Sequence, residues 1–196
     1  MRKPISQACI IGTIHGYCLA KLREYWSDDY HNFDILDESA RSSLIFREYR
    51  GILGLEKLQS ELGVGPFSGV LEQFIRGYDQ LHEHNRFDIC ITDNSPPYEL
   101  GQKERDWCAK AKLRTHVGDS EKGAAFSESS TRYYAYLCCH RFLDFATSQT
   151  ESFRNLIDDP SKHPLSSEIH LVIDEVQDIN PLQRDSSMPL LPTQGD

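Results

Sequence analysis

The sequence predicts an α/β fold, predominantly helical, and three observations carry that expectation. An apolar, β-branched run from Ala8 to Ile14 stops at His15-Gly16 and gives way to a helical spacing. A second such run, Ile169-His170-Leu171-Val172-Ile173, is the clearest strand in the chain and ends in Asp174-Glu175. Between the two lie several segments whose apolar residues recur at intervals of three and four, the period of a helix with one buried face.

Taken in order, Cys18, Leu19, Leu22, Tyr25 and Trp26 form a stripe with Lys21, Arg23 and Glu24 mostly off it, which predicts a first helix from Tyr17. Asp37-Glu38 offers an N-cap and an acidic first turn to a second helix, with Leu44, Ile45, Tyr49, Ile52 and Leu53 on its apolar side. Gly63-Val64-Gly65-Pro66 breaks that pattern, and Val70, Leu71, Phe74, Ile75, Tyr78 and Leu81 restart it as a third helix. Phe87 to Thr92 alternates weakly and reads as a strand or a helix end, whereas Asn94-Ser95-Pro96-Pro97 is a loop. Gly118 to Ser130, rich in Gly, Ser and acid, reads as a mobile loop. Tyr133, Tyr136, Leu137, Phe142, Leu143 and Phe145 then read as a long aromatic-rich helix whose rings, at helical spacing, belong to a core. Another break runs from Asp158-Asp159-Pro160 to Ser166-Ser167, and no repeat of solenoid period occurs.

Composition bounds the function classes. The 196 residues carry 21 Lys+Arg against 30 Asp+Glu, a net charge of −9, with 39% hydrophobic and 26% charged residues. These values exclude collagen, low-complexity disorder and a disulfide-stapled miniature scaffold. Apolar runs such as Leu171-Val172-Ile173 are far too short to cross a bilayer, so no membrane partner is expected. Met1-Arg2-Lys3 lacks the apolar core of a signal peptide, and the six cysteines are therefore expected reduced, in the cytoplasm. No cysteine pair has the two-residue spacing that presents thiolates to zinc. Cys138-Cys139-His140 and His82-Glu83-His84 are dense, but neighbours on a helix diverge, and the clusters read as small buried thiols and surface imidazoles. An acidic total disfavours nucleic-acid binding through overall charge. Between residues 102 and 116, however, Lys103, Arg105, Lys110, Lys112 and Arg114 outnumber Glu104 and Asp106. That segment is either a phosphate-facing patch or a solvated helix face.

The chemistry concentrates at Asp174-Glu175. A rigid parallel strand that ends in two carboxylates can aim both at the phosphate-binding edge of a sheet, the first holding Mg²⁺ and the second polarising an attacking water. Carboxylates after a strand also cap helices, so the pair alone leaves both readings open. The longer stretch, Leu171-Val172-Ile173-Asp174-Glu175-Val176-Gln177-Asp178-Ile179-Asn180-Pro181-Leu182-Gln183, resembles motif II of the UvrD/Rep helicases of superfamily 1. Gly12-Thr13-Ile14-His15-Gly16-Tyr17 is similar to the family's Thr-Phe-His motif at the end of a strand, with Ile14 in place of Phe. Arg141-Phe142-Leu143-Asp144-Phe145 is similar to the Leu-Asp-Phe segment, placed by the resemblance in the helix that leads back to motif II.

The resemblance implies a partial RecA-like sheet of the P-loop type with a mostly α-helical inserted domain. Residues 1–27 would be a strand and first helix of the RecA-like part, 28–165 the insert, 166–183 the strand with motif II, and 184–196 a divergent tail. It implies Glu175 as the catalytic residue and Asp174 as the Mg²⁺ ligand with it. Gln177 and Asp178 would couple nucleotide to movement, and Thr13 and His15 would contact DNA, joined by the basic set at Lys103, Arg105, Lys110, Lys112 and Arg114. Family cofactors are Mg²⁺ and ATP. The chain contains no Gly-Lys dipeptide and so no phosphate-cradling loop, and the resemblance covers residues 8 to 183 as an internal piece of a larger enzyme. The chain alone is therefore expected to hold neither cofactor tightly and to lack ATP hydrolysis. Weak, salt-sensitive contact with single-stranded or junction DNA is expected, with the rest of the helicase or a repair protein as partner. The alternative is a stand-alone module, derived from the insert, that binds DNA or a protein. A transporter-type or recombination ATPase shares the strand and acid pair, but the Gln-Asp continuation argues against it.

Overall fold

A computed structural model describes residues 12–25, 30–63, 65–84, 89–90, 112–113, 121–158 and 180–181. Helix α1 spans Ile14–Tyr25 and starts earlier than its apolar stripe suggests. The strand reading therefore fails at Ile14. Thr13 stops the chain by capping: its Oγ1 accepts the Gly16 N–H at 3.1 Å, and its carbonyl accepts the Tyr17 N–H. Cys18 and Leu22 are the buried positions of this helix.

Strand β1 (Asp34–Ile35) pairs in parallel with a strand near the other end of the described chain, β4 (Phe142–Leu143). Helix α2 (Glu38–Glu48) follows, and Asp37 caps it as expected, accepting the Ala40 N–H at 2.8 Å. It does not run on to Leu53. The Ile52 and Leu53 N–H groups both turn back to the Glu48 carbonyl, and Gly54 takes φ +65°, a left-handed conformation that favours glycine. This turn releases helix α3 (Leu55–Leu62), which the apolar spacing does not reveal because the buried pattern passes through the turn unbroken. Gly63, again left-handed, closes α3 as a C-cap.

Helix α4 (Phe67–Glu83) is the third helix of the sequence reading, with Val70, Phe74, Tyr78 and Leu81 buried. A short antiparallel pair, β2 (Ile89–Cys90) with β3 (Lys112–Leu113), comes next, which gives the weakly alternating segment its strand at 89–90. Helix α5 (Glu121–His140) overturns the loop expected over 118–130 from Glu121 onward, residues 118–120 lying outside the described residues. Small residues are buried here and hydroxyls are satisfied within the helix: Gly123, Ala125, Ser129 and Ser130 are buried, and Ser127 and Thr131 bond back to carbonyls four residues earlier. The aromatic helix also ends sooner than expected. Arg141 takes φ +56°, Phe142-Leu143 form β4, and Asp144 caps a separate helix, α6 (Phe145–Asp158).

The β1–β4 ribbon separates two apolar clusters. Alternation along the strands sends Leu36 and Phe142 toward the main core, built on Ile45, Leu53, Phe74, Tyr78, Tyr133 and Leu137. Ile35 and Leu143 face the smaller cluster with Leu19, Leu22, Tyr30 and Phe33. Tyr133 and Tyr136 are core residues as expected, and Phe142 is half-buried. The described chain is thus mostly helical, with a two-stranded parallel sheet. Among the described residues, no helix is long and apolar enough to cross a membrane.

Candidate functional site

The first turn of α6 is built around Asp144, which is fully buried. One carboxylate oxygen accepts the Thr147 N–H at 2.8 Å, the helix cap, and the other accepts the Tyr133 hydroxyl at 3.0 Å. A guanidinium completes the set. Arg41, near the start of α2 and itself buried, lies 3.2 Å from Asp144 and 2.8 Å from Asp79 of α4, and between the rings of Tyr78 and Tyr133 at 5.5 and 5.9 Å. Burial pushes the Asp144 carboxyl up, but Arg41 and the Thr147 bonds outweigh it and hold Asp144 below the usual carboxylate range. Burial likewise works against the Arg41 charge, and the two carboxylates reverse the effect. Asp79, with less help, is raised by burial despite Arg41.

Above this network opens a cavity of about 240 Å³. Its aromatic wall is Phe145, 44% exposed, whose ring lies 4.9 Å from that of His15 in α1. Leu36, Ile75 and Ala146 supply apolar lining. The polar lining comes from Glu38, Asp79 and Glu83 and from two side-chain amides, Gln149 and Asn180. His82 borders it from below, fully buried, with Nδ1 2.6 Å from Thr150 Oγ1. The surface-imidazole reading therefore holds for exposed His84 and fails for His82, which α4 turns onto α6. Desolvation lowers the His82 pKa to about 3 and also lowers that of His15, so both rings are neutral at pH 7.

Of the residues singled out in the sequence, Thr13 serves as a helix cap and His15 reaches the cavity. Asn180, from the stretch that begins at Leu171, lines the same cavity. Lys112 lies in β3. Asp174, Glu175, Gln177, Asp178, Lys103, Arg105, Lys110 and Arg114 lie outside the described residues. The described residues contain no group of three or more His, Cys, Asp or Glu arranged to hold a metal ion. Sequence reasoning misses Arg41 and Gln149. Neither has a local signature: each is a single polar residue in a helix, and only packing shows that it faces inward. No family model, curated protein or solved structure matches the chain.

Proposed function

We propose that the chain supplies part of a UvrD-like DNA helicase: the Thr-Phe-His-like corner, motif II at the edge of a RecA-like sheet, and the helical insert between them. The observation that supports this reading most is that His15 and Asn180, near opposite ends of the chain, line one cavity together with Phe145. These three residues come from the three segments that resemble helicase motifs. An inserted domain must return the chain near the point where it left, and such a return brings distant motifs together. In this reading Thr13 and His15 touch single-stranded DNA, and Asp174 and Glu175 serve Mg²⁺ and the attacking water only in company with a phosphate loop. The RecA-like sheet and the cytoplasmic site of action belong to the same proposal.

Two measurements test it. A phosphate-release assay with single-stranded DNA should show no turnover by this chain, and turnover at a motor rate that vanishes in Glu175→Gln would overturn the expected inactivity. Fluorescence anisotropy should show weak DNA binding that declines with salt, and that falls in His15→Ala and on charge reversal at Lys110 and Lys112. Binding untouched by all of these changes would remove the DNA part of the reading. The stand-alone module keeps one observation in its favour. The β1–β4 pairing joins Asp34–Ile35 to Phe142–Leu143, and among the described residues the main apolar core draws almost all of its side chains from between these strands, as a unit able to fold without a motor requires.

A further inference from the structure

We propose that the acid-lined cavity beside Phe145 is a docking pocket for an arginine side chain of a partner protein. The fold already holds one guanidinium in surroundings of this kind. Arg41 lies between the rings of Tyr78 and Tyr133 at 5.5 and 5.9 Å and meets Asp79 at 2.8 Å and Asp144 at 3.2 Å. The cavity above it offers the same two elements again. Phe145, 44% exposed, supplies a ring, and Glu38 of α2 with Asp79 and Glu83 of α4 supply carboxylates. Asp79 belongs to both places: its Oδ1 meets Arg41, while its side chain stays 33% exposed. Burial holds the Asp79 carboxyl above the usual range even with Arg41 beside it, and a second cation on its open side relieves that cost.

Charge decides the class of occupant. Among the described residues the lining holds three carboxylates, and its one cation, Arg41, is shared between Asp79 and buried Asp144. His15 and His82, whose rings could add positive charge, are kept neutral at pH 7 by burial, and Arg76 of α4 does not reach the lining. Phosphate is repelled by such a wall and a cation attracted. At about 240 Å³ the space lies below the roughly 300–1,000 Å³ of sites that enclose a drug-sized ligand, and it suits a single side chain. A guanidinium matches both halves of the lining, because its plane lies flat on a ring while its N–H fork reaches carboxylates, whereas an ammonium is a strongly hydrated point charge. With Phe145 and Glu38 exposed at the rim, a side chain carried on another protein's surface can enter. Arginine anchors seated in such pockets are among the groups that dominate protein interfaces. Neither motif II nor a DNA track is needed for this contact.

Two-dimensional NMR titration of the full chain with an acetylated and amidated glycine-arginine-glycine peptide is the test. Amides in the first turn of α6 and at the end of α4 should shift saturably. The counterpart with citrulline, of the same shape but uncharged, should bind about tenfold more weakly, and the lysine counterpart about threefold more weakly. Added salt should weaken the arginine peptide. Glu38→Gln and Glu83→Gln should each cost about threefold in its affinity. Phe145→Leu, which keeps an apolar side chain but removes the ring, should cost about threefold as well. Thermal midpoints check that the three variants are folded. Equal binding of the arginine and citrulline peptides, equal binding of the arginine and lysine peptides, an affinity unchanged in all three variants, or no saturable shift at α4 and α6 would overturn the proposal. So would either of two other occupants: agmatine bound more tightly than the peptide, which would make a free small cation the ligand, or an oligothymidylate that displaces the peptide, which would give the pocket to nucleic acid. A failure of peptide binding leaves phosphate release and the DNA contacts of Thr13 and the basic segment as they stand.

Discussion

Helix α6 carries two carboxylates two turns apart, and they are handled differently. Asp144 at its start is fully enclosed and has a guanidinium, a phenol and a backbone N–H. Glu151, still 12% exposed at its side chain, accepts hydroxyls from Tyr30 at 2.8 Å and Tyr134 at 2.6 Å, with Arg154 of the next turn at 3.3 Å. The difference follows from solvent. A charge removed wholly from water needs an opposite charge beside it, while a carboxylate that keeps an edge in water is adequately held by neutral donors and a partly exposed cation.

The sharpest way to break this contrast is to remove the buried cation. Arg41→Met strands Asp144 among Tyr78, Tyr133 and the α6 backbone, and should cost about 3–5 kcal/mol in urea unfolding. Adding Asp144→Asn to the same chain should recover much of that loss, because asparagine still caps Thr147 through its oxygen and turns its NH2 toward the Tyr133 oxygen as a donor, with no charge to strand. An equal loss in the single and double variants would show that Arg41 matters for packing and not for charge.

A second measurement uses acid. His82 sits beside this network with its pKa lowered to about 3, whereas an unfolded histidine titrates near 6.5. Between those values the unfolded chain binds a proton that the folded protein refuses. Stability is therefore fully present above pH 6.5 and declines as pH falls toward 3, by about 2 kcal/mol at pH 5. His15, also lowered, adds a smaller loss of the same sign. Asp144, depressed below the ordinary carboxylate range, gives stabilisation that is fully present above about pH 4 and fades only below it, outside the range between pH 5 and pH 7. Urea midpoints at pH 7 and pH 5 should differ in the wild type and nearly coincide in His82→Gln. A wild-type midpoint insensitive to pH would contradict the burial of this ring.

The smallest effect compares the phenols. Tyr133→Phe removes a donor from an enclosed carboxylate and should cost about 1.5–3 kcal/mol, whereas Tyr134→Phe, whose acceptor keeps access to water, should cost about 1 kcal/mol. Thermal or urea unfolding of the two variants ranks them, and the reverse order would make Glu151 the more dependent carboxylate.

The parts legible in the sequence are those governed by neighbours along the chain. Asp37 caps α2 because an acid before a helical stripe has few other uses, and α4 follows from the spacing of Val70, Phe74, Tyr78 and Leu81. The illegible parts depend on contacts across the fold. The N-terminal half of α5 has the composition of a loop, yet it packs closely on α4, where Gly77 makes room: a side chain there would come within 2.8 Å of the Phe126 ring of α5. Leu53 continues the apolar period of α2 although a turn separates them. At the site, His15 stands out in its motif, but Gln149 reads as an ordinary surface residue of an amphipathic helix until α1 and α4 are packed against α6.

The β1–β4 pairing also sets an order of events in time. Parallel strands this far apart in sequence can meet only after the intervening chain has been made and drawn together, and closing so long a loop is an entropic cost that local helices do not bear. Helix α1 leaves the ribosome well before its principal packing partner, α6. Until the ribbon closes, Leu22 and Cys18 of α1 therefore lack the α6 surface against which α1 finally packs.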